Sequence, residues 1–452
     1  MHLNKYLIAF SIQLLIGGHA LHAKPCAYIG NTSVSNINVI NVATNKVIAT
    51  VSLDDYIELY HTRLILPYNG IDLTPDNHTL YVACYDTDTD AGLVKLIDAT
   101  TNTLLPTIIP IASDIQPISL AMAPNGLYGY VTCDDSTVRR INVSTNEIDV
   151  IIPLASFLHT IDEISISTDS RTAYVTGGGL APLHLGYIMP IDLVTNTLGT
   201  PVFVGFPYAS VPSPDGKYLY VANGDTGSVV QLNLANPLAP TISNTIPIGS
   251  GEILAVALTP DGNYLYATNT TAFTITPVNI SNPRAPIVGP TMASREQYPW
   301  GIAATPDGNF MYITNYGTVN PPTPVAGDTV TPLNITNRFA PVSGPGIIVD
   351  RYPLAIVITY IQPPTKVTGT FHKNIFLDKT ELIVSATWTP STSPNVVAYN
   401  IYRNNILVQT ISANCPSAAT ILLCSCDEKN LCTVSAINRD GLESMRIPVD
   451  IE

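Results

Sequence analysis

Trp300-Gly301-Ile302-Ala303-Ala304-Thr305-Pro306-Asp307-Gly308-Asn309-Phe310-Met311-Tyr312-Ile313-Thr314-Asn315 decides the fold. An apolar run of strand length meets a four-residue turn, and a second run opens on a tyrosine. Pro presets φ in the turn, Asp bonds back to the backbone and Gly accepts positive φ. The same order recurs at Thr259-Pro260-Asp261-Gly262, Ser213-Pro214-Asp215-Gly216 and Ala123-Pro124-Asn125-Gly126. Degraded copies stand at Thr74-Pro75-Asp76-Asn77 and Thr168-Asp169-Ser170-Arg171. The tyrosines in register are Tyr28, Tyr81, Tyr130, Tyr174, Tyr220, Tyr266 and Tyr312, from 44 (Tyr130 to Tyr174) to 53 (Tyr28 to Tyr81) residues apart. A period of that size with strand texture predicts a propeller blade and not a helical repeat.

Each unit also carries a third strand ending in Asx, at Asn41, Asp98, Asn142, Asp192, Asn233, Asn279 and Asn334. Thr-Asn or Asn-Pro then turns the chain into an outer strand. With Tyr266-Ala267-Thr268-Asn269 and Tyr312-Ile313-Thr314-Asn315, the repeat resembles the YVTN family of bacterial β-propellers over residues 24–362. Cys84 and Cys133 stand where that family has Asn.

The ends predict how the ring closes. The chain enters at the Tyr28 strand with no inner strand before it, and Pro353–Ile358 is an inner strand with no tyrosine strand after it. Paired, they complete an all-β, seven-bladed β-propeller whose N- and C-terminal strands share one blade and leave no open edge. After Pro363-Pro364 the period stops. Residues 365–452 resemble a small fibronectin type III-like β-sandwich, with Trp388 on its core strand and Cys432 where that family has a corner tyrosine.

The 452 residues are 46% apolar and 12% charged, with a formal net charge of −14. No basic cluster exists to hold a phosphate backbone, so nucleic acid is not expected as a partner. Lys5, the apolar Tyr6–Ile16 run and the Ala20-Leu21-His22-Ala23 site predict a signal peptide over residues 1–23. Export to the periplasm, cell surface or medium follows, with no transmembrane segment in the mature chain. In an oxidising compartment Cys415, Cys424, Cys426 and Cys432 are candidates for two disulfides, expected as Cys415–Cys424 and Cys426–Cys432.

Local catalytic motifs are missing. The histidines have no metal-ligand spacing, and neither a Gly-x-Ser-x-Gly elbow nor a phosphate loop occurs. No metal or cofactor is expected. Asp86-Thr87-Asp88-Thr89-Asp90-Ala91-Gly92 superficially resembles a calcium loop, but its twelfth position is Ile97, so an acidic hairpin is expected.

The loops that lead into the inner strands should gather at one mouth of the funnel. They carry Asp55, Glu58, His61, Arg63, His159, Asp162, Glu163, Glu252, Arg295, Tyr298, Trp300, Arg351 and Tyr352. Convergent acids, bases and aromatics around a concavity suit ligand binding; solvated loop residues are the plain alternative. The expected function is an exported, non-catalytic protein that binds a protein or cell-envelope ligand through funnel and loops. The alternative is a lactonase-type hydrolase, since propellers resembling this one include sugar-lactone hydrolases. His159, Glu163, Glu252 and Arg295 would then supply base, acid and anion contacts. A redox or metal-trafficking role ranks third.

Overall fold

The computed structural model describes residues 25–32, 35–53, 65–154, 158, 160–178, 186–316, 328–359, 365–375, 380–389, 391, 396–403, 406–413, 418–423, 432–438, 444, 447–448 and 450–451. Every regular element among them is a β-strand, and no helix is long and apolar enough to cross a membrane. The strands form nine sheets.

Seven sheets are built from the repeat. Their innermost strands are Pro353–Ile358, Ile65–Leu73, Pro117–Met122, Thr160–Ile166, Pro207–Pro212, Ile253–Leu258 and Pro299–Ala304, and the sheets are numbered one to seven in that order. Each runs outward through its tyrosine strand to a third and an outer strand; in sheets four, six and seven the outer strand is broken into two short pieces. Each innermost strand touches the next, and Pro299–Ala304 returns to Pro353–Ile358. The sheets therefore circle one axis, which is the arrangement of a β-propeller. Sheet one joins distant parts of the chain: Cys26–Asn31 pairs antiparallel with Pro353–Ile358, Tyr28 opposite Val357. Cys26 N–H donates to Thr359 Oγ1 at 3.1 Å, and Thr32 N–H to the Tyr352 carbonyl at 3.1 Å.

The repeat residues fill defined places. All seven tyrosines are fully buried, each contributing about 2 kcal/mol of apolar burial. Their hydroxyls tie sheets together: Tyr28 donates to the Ala99 carbonyl at 2.9 Å, Tyr81 to Asn146 Oδ1 at 2.6 Å, Tyr266 to the Arg338 carbonyl at 2.9 Å and Tyr312 to the Val42 carbonyl at 3.0 Å. The last of these links sheet seven to sheet one.

At the turns, Asp76, Asp169, Asp215, Asp261 and Asp307 accept from the hydroxyl two residues earlier and the amide two residues later. Gly126, Gly216, Gly262 and Gly308 take φ near +70°; in the degraded copies Asn77 and Ser170 adopt φ 60° instead. The seven Asx side chains each accept backbone amides two or three residues on, closing Asx turns.

The motif threonine has a further task. Each inner strand slips register near its start, that of sheet one between Pro353 and Ala355, which frees a backbone amide. Thr314 Oγ1 accepts the Gly301 amide at 2.8 Å and donates to Leu354 O of the next sheet at 2.9 Å. Thr176 and Thr268 do the same for Glu163 and Ala255, reaching Tyr208 O and Trp300 O.

The remaining two sheets lie C-terminal. One orders Ala418–Leu423, Thr380–Thr389, Thr365–Ile375 and Asp450–Ile451; the other orders Ile406–Ser412, Val396–Arg403, Cys432–Asn438 and Ile447–Pro448. Buried Trp388 of the first packs on Tyr399 of the second at 5.3 Å between ring centroids. Cys415, Cys424 and Cys426, and with them the expected disulfides, lie outside the described residues, as does the side chain of Cys432. The expected signal peptide also lies outside them. The Asp86 loop is a hairpin turn: Asp86 Oδ1 accepts the Asp88 and Thr89 amides at 3.0 and 3.3 Å.

Candidate active site in the central channel

All seven innermost strands line a central cavity of about 350 Å³. A second space of about 350 Å³ opens at the turn side among apolar residues such as Val211, Pro212, Ile302 and Val357. A recess of about 420 Å³ at the seam of sheets seven and one holds no titratable group. The chemistry therefore lies in the channel.

The repeat gives the channel a register. The turn of sheet four opens at Ser167, one residue before the expected Thr168, and four residues before the residue that opens each turn stand Ala355, Gly70, Ser119, Glu163, Ala209, Ala255 and Gly301. Six are small because this level is crowded: a Cβ on Gly301 would lie 2.5 Å from Leu354 O, and one on Gly70 would lie 2.9 Å from Ala83 Cβ. Glu163 projects the one ionisable group among these seven. Its Oε2 accepts the Ser210 amide of the next sheet at 2.6 Å. Burial pushes its carboxyl up to about 8; the Ser210 bond opposes the shift and the charge of Asp162 adds to it.

Asp72, two residues before its turn, behaves alike. Its Oδ2 accepts the Met122 amide of the next sheet at 2.8 Å, and Oδ1 the Leu73 amide at 2.8 Å. Burial pushes it up to about 6 against those two bonds. Both carboxyls serve the inward edge of a neighbouring strand, whose amides have no ladder partner. Asp162, at the register slip, is also raised to about 6 by burial. Tyr208 is raised first by burial and then by the charges of Glu252 and Asp162, which places those acids around it.

Aromatic rings gather where sheets seven and one meet. Trp300, which lines the cavity, lies 5.4 Å from Tyr316, and Tyr316 lies 5.0 Å from Tyr352. Tyr298 packs edge-on against Phe273 at 4.9 Å.

The expected site residues thus divide. Glu163 and Trp300 share the central cavity, and Tyr352 joins Trp300 through Tyr316. Glu252, Arg295 and Arg351 are exposed at the ends of loops. Asp55, Glu58, His61, Arg63 and His159 lie outside the described residues. Asp72, Tyr208, Ser210 and Tyr316 were not anticipated. Asp72 left a signal, being the sole acid among the residues that occupy its place in the seven inner strands. Among the described residues no group of three His, Cys, Asp or Glu side chains is placed to hold a metal.

The fold is shared widely. An assigned 6-phosphogluconolactonase from Bacteroides fragilis superposes with a TM-score of 0.57 at 13% identity, over 74% of this chain and 98% of that one. The periplasmic gluconolactonase of Pseudomonas aeruginosa gives 0.57 at 15%, with the same coverage. Hydrazine synthase from Kuenenia stuttgartiensis gives 0.55 at 17%, over 68% of this chain and 92% of that one. No sequence-family profile matches the chain, and no curated protein sequence matches it significantly. These likenesses define a β-propeller protein. They also correct the expectation of a non-catalytic binding protein, because lactonases recur among the similar structures and so favour the hydrolase alternative. The physical reason is that catalytic groups of a propeller come from separate strands, so missing local motifs say little about activity.

Proposed function

We propose that this protein is a lactonase-type hydrolase with its site in the central channel. The observation that carries the reading is Glu163, a half-buried carboxyl raised to about 8 by desolvation, on the cavity wall at a level whose other six positions are small residues. Near neutral pH it is protonated and can give its proton to the ring oxygen that leaves as the lactone C–O bond breaks. Asp162, raised only to about 6, is ionised there and takes a proton from the attacking water. One water is consumed and one hydroxy acid formed. Acid–base assistance of this kind contributes about 10²- to 10⁴-fold. The neighbours share less than a fifth of their residues with this chain, so they supply the class of reaction and not the residues.

The same reading takes the seven sheets as seven blades of YVTN type over residues 24–362, closed by strands from both ends. It takes residues 365–452 as a fibronectin type III-like sandwich, and residues 1–23 as an export signal. A pH-stat assay with D-glucono-1,5-lactone tests the activity. Hydrolysis above the spontaneous rate that disappears in Glu163→Gln is expected; equal rates with and without protein would sink it.

A further inference from the structure

We infer that Trp300, backed by Tyr316 and Tyr352, forms a stacking platform for the ring of a carbohydrate, across the channel from Glu163. The ligand class, a pyranose-sized sugar lactone, rests on the hydrolase reading above. The platform itself rests on geometry. Trp300 belongs to sheet seven and Glu163 to sheet four, three sheets apart in a ring of seven, and both line the same cavity. Trp300, Tyr316 and Tyr352 follow one another at 5.4 and 5.0 Å with interplanar angles of 41° and 34°, a contiguous tilted stack whose Trp300 end lines the cavity. All three are only partly buried.

Backbone strain is the second, independent observation. Tyr298 and Tyr352, each just before the proline that opens an innermost strand, hold φ at 52° and 57°. Bulky side chains rarely occupy that region, and where they persist the surroundings enforce it, most often at ligand sites. At the equivalent places Gln116, Phe206 and Glu252 show no positive φ. Here the enforcement is visible: the Tyr352 carbonyl accepts the Thr32 amide at 3.1 Å, its own amide donates to Asp328 Oδ1 at 3.3 Å, and the Tyr298 carbonyl accepts the Tyr316 amide at 3.0 Å. Thr268 Oγ1 fixes Trp300 through its carbonyl at 3.1 Å.

A sugar ring suits this surface. The C–H face of a pyranose is apolar and weakly positive at hydrogen, which complements the negative face of an aromatic ring. Its hydroxyl edge then turns toward the polar side of the channel. The Trp300 face on one wall and the Glu163 carboxyl on the other orient such a ring with its ester toward Glu163.

Calorimetric titration of the full chain with D-glucono-δ-lactam, which cannot be hydrolysed as an ester, tests the platform apart from catalysis. Saturable binding is expected. Tyr316→Leu and Tyr352→Leu should each weaken it about ten-fold, while Tyr352→Phe, which keeps the ring, stays within about two-fold. Should a Leu variant melt early, protection of tryptophan fluorescence from acrylamide by the lactam in the wild-type chain gives the same reading. Absence of lactam binding, or binding indifferent to both Leu variants, overturns the platform. Lactam binding that needs the rings in a protein that hydrolyses no lactone leaves the platform standing and removes the hydrolase reading.

Discussion

Glu163 Oε2 accepts the amide hydrogen of Ser210 at 2.6 Å, a bond from the inner strand of sheet four to that of sheet five. The same carboxyl therefore has two duties, holding an edge amide of its neighbour and facing the cavity as an acid.

Those duties separate in two substitutions. In Glu163→Gln the amide oxygen still accepts from Ser210, so thermal stability at pH ~4, where Glu163 is protonated, should change little, while lactone hydrolysis at neutral pH falls at least about 100-fold. In Glu163→Ala the Ser210 amide is left unpaired, at a cost of about 1–3 kcal/mol. Parallel melting curves and initial rates check both. Equal loss of stability in the two variants would contradict the assignment.

Stability should depend on pH in one direction. Glu163 is raised to about 8, and Asp72 and Asp162 to about 6. The folded state then binds protons more tightly than the unfolded chain, so the contribution is complete below pH ~4. It is lost as pH rises through 6 for the aspartates and through 8 for Glu163, at no more than about 1.4 kcal/mol per pH unit for each group. Melting temperatures across this range should fall, and fall less steeply above pH 6 in Glu163→Gln. A rising profile there would refute the burial argument.

Catalysis should follow the same two carboxyls with a different shape. Activity should climb as Asp162 ionises through about 6 and decline as Glu163 loses its proton through about 8. Rates from pH 4 to 10 check this, and a plateau persisting well above 8 would remove Glu163 as the acid.

Two repeat tyrosines should respond oppositely to loss of the hydroxyl. Tyr312 ties sheet seven to sheet one through the Val42 carbonyl and Asn45 Oδ1, so Tyr312→Phe should cost about 1–2 kcal/mol. The buried Tyr174 hydroxyl has no hydrogen-bond partner among the described residues, so Tyr174→Phe should be neutral or stabilising. Denaturant midpoints decide; a costly Tyr174→Phe would reveal a partner such as a buried water.

The motif threonine offers a last check. Thr314→Val keeps the shape but strips the Gly301 amide and the Leu354 carbonyl of their shared partner. A loss of about 2–3 kcal/mol in urea unfolding is expected.

Much of this architecture is written locally. The turn Asp, the left-handed Gly and the Asx after each third strand act within five residues of themselves, so a linear reading finds them. The tyrosines announced themselves by period alone, although four of their hydroxyls act on the neighbouring sheet. The site was less legible. Glu163 drew notice as a loop acid, although the fold sets it within the inner strand Thr160–Ile166, and Asp72 was hidden in a strand read only for its apolar character. Tyr316 follows the repeat at the edge of a long loop, and nothing near it in sequence points to Trp300 or Tyr352. Arg295 and Glu252 drew notice for their chemistry, yet both are exposed at loop ends.

What the chain order alone determined is the repeating unit, because propensity, turn chemistry and alternation operate between residues a few bonds apart. What only the folded ring decided is which groups become unusual. Burial raises Glu163, and three aromatics from separate strands meet, only once sheets far apart in sequence share one channel.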